Sequence, residues 1–245
     1  MSRGSREYSE LGIYHIMFRG VNKQNIFEED FDFKVMSDYI KELKKKFSFE
    51  IYAYCFMTNH VHLVLKENNM GDISLIMKNL LTKYALYYNN KYDRRGHLYE
   101  SRYKSIPIMS NDYFFASVRY VHRNPVKAFV VEKIEDYNWN SYNEYITNYD
   151  GLADKDYLLN IIDLTQFKNI HYDASDDYDP FDKKHQDLME LRKHIVTNYK
   201  MEPEAIAELP SYQKRGIIAE LRKTFTTTLI SKITKIKEST LRNYQ

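Results

Sequence analysis

Apolar and polar positions alternate between two periods along the first 150 residues. Tyr14 to Arg19 reads as a strand, and Asp32 to Phe47 as a helix. In that helix Val35, Met36, Tyr39, Ile40 and Leu43 share one face while Lys41, Lys44 and Lys45 lie outside, the 3.6-residue signature. Ile51 to Phe56 and His60 to Leu65 are two further strands joined by Met57-Thr58-Asn59. Asp72 or Ser74 can cap a second long helix reaching about Tyr88, and Arg102 to Ile108 is a fourth strand ending near Pro107. A shorter helix starts at Asn111, with Ser110 or Asn111 as cap and Asp112 in the first turn, and Pro125 should stop it. Strand-helix-strand-strand-helix-strand is the ferredoxin-like order. The expected class is therefore α+β, an antiparallel sheet with helices on one face.

The texture changes after Tyr149. Residues 171–180 (HYDASDDYDP) are polar and acidic, with too little apolar content to order strongly. Asp173, Asp176, Asp177 and Asp179 lack the glycine and terminal glutamate of a calcium loop, so a solvated linker is the better reading. Helical patterns follow at Lys183 to Tyr199, Gln213 to Thr224, Thr227 to Thr234, and Ser239 onward. The last two resemble a helix-turn-helix in which Ser239 caps a recognition helix bearing Thr240, Arg242 and Asn243; an unspecific helical appendage is the competing reading. The resulting division is a domain over 1–149, an acidic linker over 150–184, and an all-helical segment over 185–245.

Composition narrows the class. With 245 residues and 43% hydrophobic content, at least one real core can form. A single cysteine, Cys55, rules out an intramolecular disulfide and fits a reducing compartment. No stretch approaches the ~20 apolar residues of a membrane span, so a soluble, cytoplasmic protein is expected. Net charge is only +2, but it is unevenly placed. Lys78 to Lys127 holds ten Lys/Arg against three Asp/Glu, Asp150 to Glu190 eleven acids against four Lys, and Leu191 to Gln245 eleven bases against five acids. Two basic blocks around an acidic one suggest two nucleic-acid-facing modules, although charge runs also simply keep surfaces wet. The first block interleaves Tyr84, Tyr87, Tyr88, Tyr92, Tyr99 and Tyr103 with its cations, as a single-strand-binding surface requires, since bases stack on rings while cations follow phosphates. Tyr84, at helical spacing from Met77, Leu80 and Leu81, reads as core.

The candidate chemistry sits in two places. On a strand, His60 and His62 point to one side while Val61, Leu63 and Leu65 face the core. Two imidazoles ~7 Å apart along a strand can converge on one metal ion, or one or both are packed histidines. On the Asn111 helix, Phe114, Val118 and Val121 form an apolar stripe, and Tyr120 and Asn124 share another face at i, i+4.

Together, Phe18-Arg19-Gly20, Tyr54 to Leu63 (YCFMTNHVHL), Gly96-His97-Leu98-Tyr99, Arg102-Tyr103-Lys104-Ser105 and Arg119 to Val126 (RYVHRNPV) resemble the single-tyrosine HUH transposases, specifically their REP-associated branch. The resemblance covers about Tyr14 to Tyr145, with the pieces in the family's order. Thr58 departs from the family, which more often has Pro there. The resemblance implies Tyr120 as nucleophile, His60, His62 and Asn124 as ligands of Mg²⁺ or Mn²⁺, and cleavage and rejoining of single-stranded or hairpin DNA through a 5′-phosphotyrosine. Arg19, Arg94, Arg95, Arg102, Lys104, Arg119 and Arg123 are the cations expected to hold that DNA, in a nucleoid-associated protein for which a homodimer is one open state. Two rival readings stand beside it: a catalytically silent hairpin-binding protein, and a metal-dependent phosphoesterase using water with Tyr120 structural.

Overall fold

The computed structural model describes residues 8–147, 149–172 and 183–244. They form two compact units, one within residues 1–177 and one within 178–245. In the first unit the elements run β1 (Ile13–Arg19), α1 (Asp30–Phe47), β2 (Glu50–Met57), β3 (His60–Lys66), α2 (Asp72–Lys91), β4 (Lys104–Pro107) and α3 (Asn111–Lys127), then the short helices α4 (Tyr142–Thr147), α5 (Asp156–Leu159) and α6 (Leu164–Tyr172). The strands make one antiparallel sheet in the order β2-β3-β1-β4, the ferredoxin-like arrangement. Tyr14, Ile16 and Phe18 of β1 and Val61, Leu63 and Leu65 of β3 join Met36, Ile40, Ile76, Met77 and Leu80 in the core under α1 and α2. Strand alternation therefore turns His15, Met17, Arg19, His60 and His62 to the other face, which α3 covers through contacts with β2 and β3.

Several tyrosines of the basic block turn inward. Tyr84 is fully buried and donates its hydroxyl to the Ile26 carbonyl (2.6 Å). Tyr87 and Tyr92 donate to the buried carboxylate of Asp32 (2.7 Å each), as does Lys91 (2.6 Å). Burial alone would raise this acid, but donation from Lys91, Tyr92 and Tyr87 outweighs it and holds the carboxyl at about 2. These rings tie α2 to the start of α1; they are not a stacking platform.

Local details differ from expectation for identifiable reasons. Gly71, at φ 94, occupies the N-cap of α2, so Asp72 is the first helical residue. Ser110 caps α3 as expected, accepting from Tyr113 N (3.3 Å). Pro125 does not stop α3, which runs to Lys127: proline withholds a single N–H there, and Ala128 N still bonds Asn124 O (3.0 Å).

The largest correction concerns residues 150–172, which are no linker. Lys44 pairs with Asp154 (2.5 Å), and the buried Glu144 carboxylate accepts from Leu152 N and Ala153 N (3.2 and 2.8 Å) and from Tyr54 Oη (2.5 Å). Gly151 passes so close that a Cβ there would lie 1.9 Å from that carboxylate. Leu158, Phe167 and His171 are wholly buried. His171 completes a directional chain in which Ser141 Oγ donates to His122 Nε2 (2.7 Å), His122 Nδ1 to His171 Nε2 (2.8 Å), and His171 Nδ1 to Phe167 O (2.7 Å). His122 belongs to α3, so α6 clamps the helix bearing Tyr120 and Asn124. A fragment ending at residue 150 should consequently lose cooperative thermal unfolding, while one ending at 177 should keep it. Equal melting temperatures for the two would show that the clamp contributes nothing. Of the rest of the expected linker, residues 173–182, with Asp173, Asp176, Asp177 and Asp179, lie outside the described residues, and Lys183 and Lys184 already belong to a helix.

The second unit contains α7 (Lys183–Tyr199), α8 (Ser211–Leu221), α9 (Thr227–Thr234) and α10 (Glu238–Arg242) around Leu191, Ile195, Ile206, Ile218, Ile230 and Leu241. α10 has five residues and follows Lys237, so Ser239 is not its cap. Lys235, left-handed at φ 61, ends α9, and Glu238 takes the first turn where the dipole favours an acid. Thr240, Arg242 and Asn243 are exposed, but Asn243 lies beyond the helix and Arg242 leans on Glu238 (3.5 Å). One and a half turns make a short element for insertion in a major groove.

Candidate active site

Strand register builds the site from its floor upward. β1 pairs with β3 so that Met17 opposes His62 and Arg19 opposes His60, placing His15 diagonally from His62 on the same face. The His15 and His62 rings lie 5.2 Å apart, with His15 Nε2 and His62 Nδ1 in hydrogen-bond contact at 3.0 Å. The His60 and His62 rings lie 5.1 Å apart, nearly perpendicular. α3 brings Tyr120 edge-on to both inner histidines, its ring 5.4 Å from that of His62 and 5.7 Å from that of His15. One turn later Asn124 Oδ1 lies 3.0 Å from His60 Nε2. Lys127 sets its ammonium 5.1 Å from the Tyr120 ring centre.

The hydrogen-bond network assigns the His60 tautomer. Asn59 Nδ2 donates to the Lys23 carbonyl (3.2 Å), which turns Asn59 Oδ1 toward His60 Nδ1 at 2.6 Å. A neutral ring has one proton, so it cannot donate to both amide oxygens; with that proton on Nδ1, at the shorter contact, Nε2 is left as a bare lone pair beside Asn124 Oδ1, two electron-pair donors 3.0 Å apart. All three histidines are held neutral. Burial depresses His60 to about 4, with the Arg19 charge adding to it and the Asn124 contact opposing it; burial takes His15 to about 3. His62 is also lowered well below the usual range, by burial and by the neighbouring His15, His60 and Arg19. The neutral imidazoles of His60 and His62 and the Asn124 amide are donors suited to a divalent cation, while His15 is engaged with His62. Cis ligands at ~2.1 Å from an octahedral ion lie about 3 Å apart, which is the recorded separation of His60 Nε2 and Asn124 Oδ1. Among the described residues no three His, Cys, Asp or Glu side chains converge as a metal-binding group, so any ion here would rest on two histidines, an amide and what the substrate brings.

These depressed values carry a stability consequence. An unfolded histidine titrates near 6.5, so between about 6.5 and 4 the unfolded chain binds protons that the folded chain refuses. Stability is therefore fully present above about 6.5 and lost as pH falls toward 4. The buried His171, lowered to about 4 by burial, adds to the same window. The urea midpoint should drop from pH 7 to pH 5 and continue falling; a flat profile would contradict the buried, neutral assignment.

The expected DNA-binding cations divide. Arg19, Arg102 and Lys104 line one cavity beside the site. Arg95 is exposed. Arg94 is occupied structurally, donating to Gln24 Oε1 (2.8 Å) and lying over Tyr88. Arg123 donates to the His171 carbonyl (2.5 Å), at the end of α6. Arg119 is half-buried on α3.

Residues 9–124 match the family model described as "Transposase IS200 like". That span ends on Asn124 and includes His15, His60, His62, Tyr120 and Asn124. Residues 9–124 belong to the IS200-like transposases. Among solved structures, a REP-associated tyrosine transposase bound to a REP hairpin aligns at 19% identity, covering 61% of this chain and 89% of that one, with a TM-score of 0.52. This likeness concerns the fold. A Deinococcus radiodurans R1 protein assigned as a transposase aligns at 15% identity over 52% of this chain and 95% of its own, with a TM-score of 0.35. No curated protein matches the chain.

In this IS200-like domain the sequence motifs pointed to Tyr120, His60, His62 and Asn124, and the structure brings all four together. His15 went unnoticed. Its signal lay in the alternation His15-Met17-Arg19, legible only once β1 is paired with β3.

Proposed function

We propose that the chain is a single-strand DNA transposase or nuclease of the REP-associated kind, cutting DNA with Tyr120 and acting on hairpin elements. The observation that carries this reading is the convergence of a tyrosine, two histidines and an amide from one strand and one helix, clamped in place by α6. The solved REP-associated relative was captured bound to a REP hairpin, which adds support for a hairpin substrate. In the proposed step the Tyr120 oxygen attacks phosphorus, the P–O3′ bond breaks, and the phenolic proton ends on the departing 3′-oxygen. The product is a 5′-phosphotyrosine and a 3′-hydroxyl, and the new ester retains the energy needed for rejoining.

His60, His62 and Asn124 would hold Mg²⁺ or Mn²⁺, which when bound polarises the scissile phosphate. The protein's own residues do the rest. Asn59 fixes the His60 ring and His15 the His62 ring, α3 delivers Tyr120, and Arg19 with Lys127 sets positive charge around the phosphate's approach. Incubation with a labelled hairpin carrying a single-stranded tail, followed by denaturing electrophoresis, tests the proposal. A covalent adduct supports it; binding without cleavage would make the protein a silent hairpin binder, and cleavage without an adduct would make water the nucleophile.

A further inference from the structure

Two neighbouring concavities share a wall made by Glu100, Ser101 and Arg102. The larger, about 610 Å³, lies between α2 and residues 96–102, with Leu81, Ala85 and Leu86 on one side and His97, Leu98 and Tyr99 on the other. The smaller, about 180 Å³, is lined by Met17, Phe18, Arg19, Glu100, Ser101, Arg102 and Lys104, three cations against one acid. Both are built by fixed backbone. The Leu98 carbonyl accepts from Val21 N (3.0 Å) and Gln24 Nε2 (3.1 Å), Glu100 N bonds Arg19 O (3.0 Å), and Asn89 Nδ2 holds Gly96 O (3.0 Å). Arg19 Nε, recessed, has no hydrogen-bond partner among the described residues. Arg19 is also the residue facing His60 across the β1–β3 register.

We propose that the two concavities form one subsite that captures a single unstacked nucleotide of the substrate strand beside the cleavage point, its base in the larger hollow and its phosphate in the cationic cavity. This rests on the reading of the site as acting on single-stranded DNA. Size and chemistry divide the roles. The larger hollow falls within the ~300–1,000 Å³ of ligand pockets and has apolar and aromatic walls, the surroundings a base prefers. The smaller is polar, cationic and too small for a nucleoside. Their shared wall spaces them as adjoining parts of one ligand, and Arg19 leads from the phosphate position to His60. A base held here cannot stack on its neighbours, so the backbone next to it is splayed and presented to Tyr120.

Photocrosslinking in EDTA, where cleavage plays no part, tests this independently of the chemistry. The full chain is irradiated with a single strand of about twelve 5-iododeoxyuridines and the crosslinked peptides are mapped. Crosslinks should fall on residues 81–89 and 96–102. Ala85→Trp, which fills the hollow, should lower them at least about fivefold, as loss of one stacked base would. Thr82→Trp, at an exposed position of the same wall, serves if Ala85→Trp does not fold. Arg102→Ala should reduce the salt dependence of binding by about one phosphate contact, a slope change of ~0.7. Crosslinks elsewhere, or a pattern indifferent to both fillings, overturn the base assignment. A wild-type salt slope in Arg102→Ala overturns the phosphate assignment. Loss of the adduct with crosslinks intact would sink only the Tyr120 chemistry.

Discussion

Tyr120→Phe should lower strand cleavage by more than about a thousandfold, because in the proposed reaction it removes the oxygen that would form the new ester and leaves nothing in its place. Folding and DNA affinity should remain near wild type. The phenyl ring keeps its edge contacts with His15 and His62, and phosphate contacts supply most of the affinity. No adduct should survive denaturing electrophoresis. The control is Tyr113→Phe. Tyr113 lies in the first turn of α3 and is buried, so its loss should leave cleavage intact. Tyr99, the other tyrosine near the proposed DNA path, packs edge-on against Phe18 with a wholly recessed hydroxyl. Peptide mapping of the wild-type adduct decides between them: DNA attached to a peptide lacking Tyr120 would refute the assignment even with the reaction class correct.

What was legible beforehand follows from how local each signal is. Two histidines two residues apart on a strand, and a tyrosine and an asparagine four apart on a helix, are pairs whose shared face is set by local periodicity. Their convergence was not local, and it took the family resemblance to join them. His15 stood 45 residues from His60, and a lone histidine in a strand carries no mark of its partner. The stretch 150–172 misled for a different reason. Its four Asp were read together with the seven acids of residues 173–190, while its apolar residues fall in runs such as Tyr157-Leu158-Leu159 and Ile161-Ile162 within segments too short to show a period, yet Leu158, Phe167 and His171 are buried and α6 packs on α3. Arg123 looked like a DNA contact because its partner is a main-chain carbonyl, which no side-chain pattern reveals. The C-terminal helices were read well as periodic segments and poorly as a recognition motif, since α9 ends at a left-handed lysine that nothing in its sequence announces.

His60→Ala and His62→Ala should each reduce cleavage to near background, and EDTA should do the same to the wild type, while hairpin binding stays within a few fold. The donor set explains the size of the effect. Two neutral imidazoles and one amide carry no charge to hold a hard cation, so affinity for Mn²⁺ should be weak without DNA and rise when phosphate oxygens complete the shell. Electron paramagnetic resonance of Mn²⁺ titrated into protein, with and without a single-stranded oligonucleotide, reads that coupling directly. His15→Ala should weaken the DNA-dependent Mn²⁺ signal by about 10- to 100-fold, the usual consequence of losing the partner that orients a ligating histidine, since His15 Nε2 bonds His62 Nδ1 at 3.0 Å. His15→Gln, which can still pair with that nitrogen, should recover part of it. Cleavage undiminished in EDTA, or a Mn²⁺ signal unchanged in His62→Ala, would remove the metal from this site and leave the histidines as packing for Tyr120.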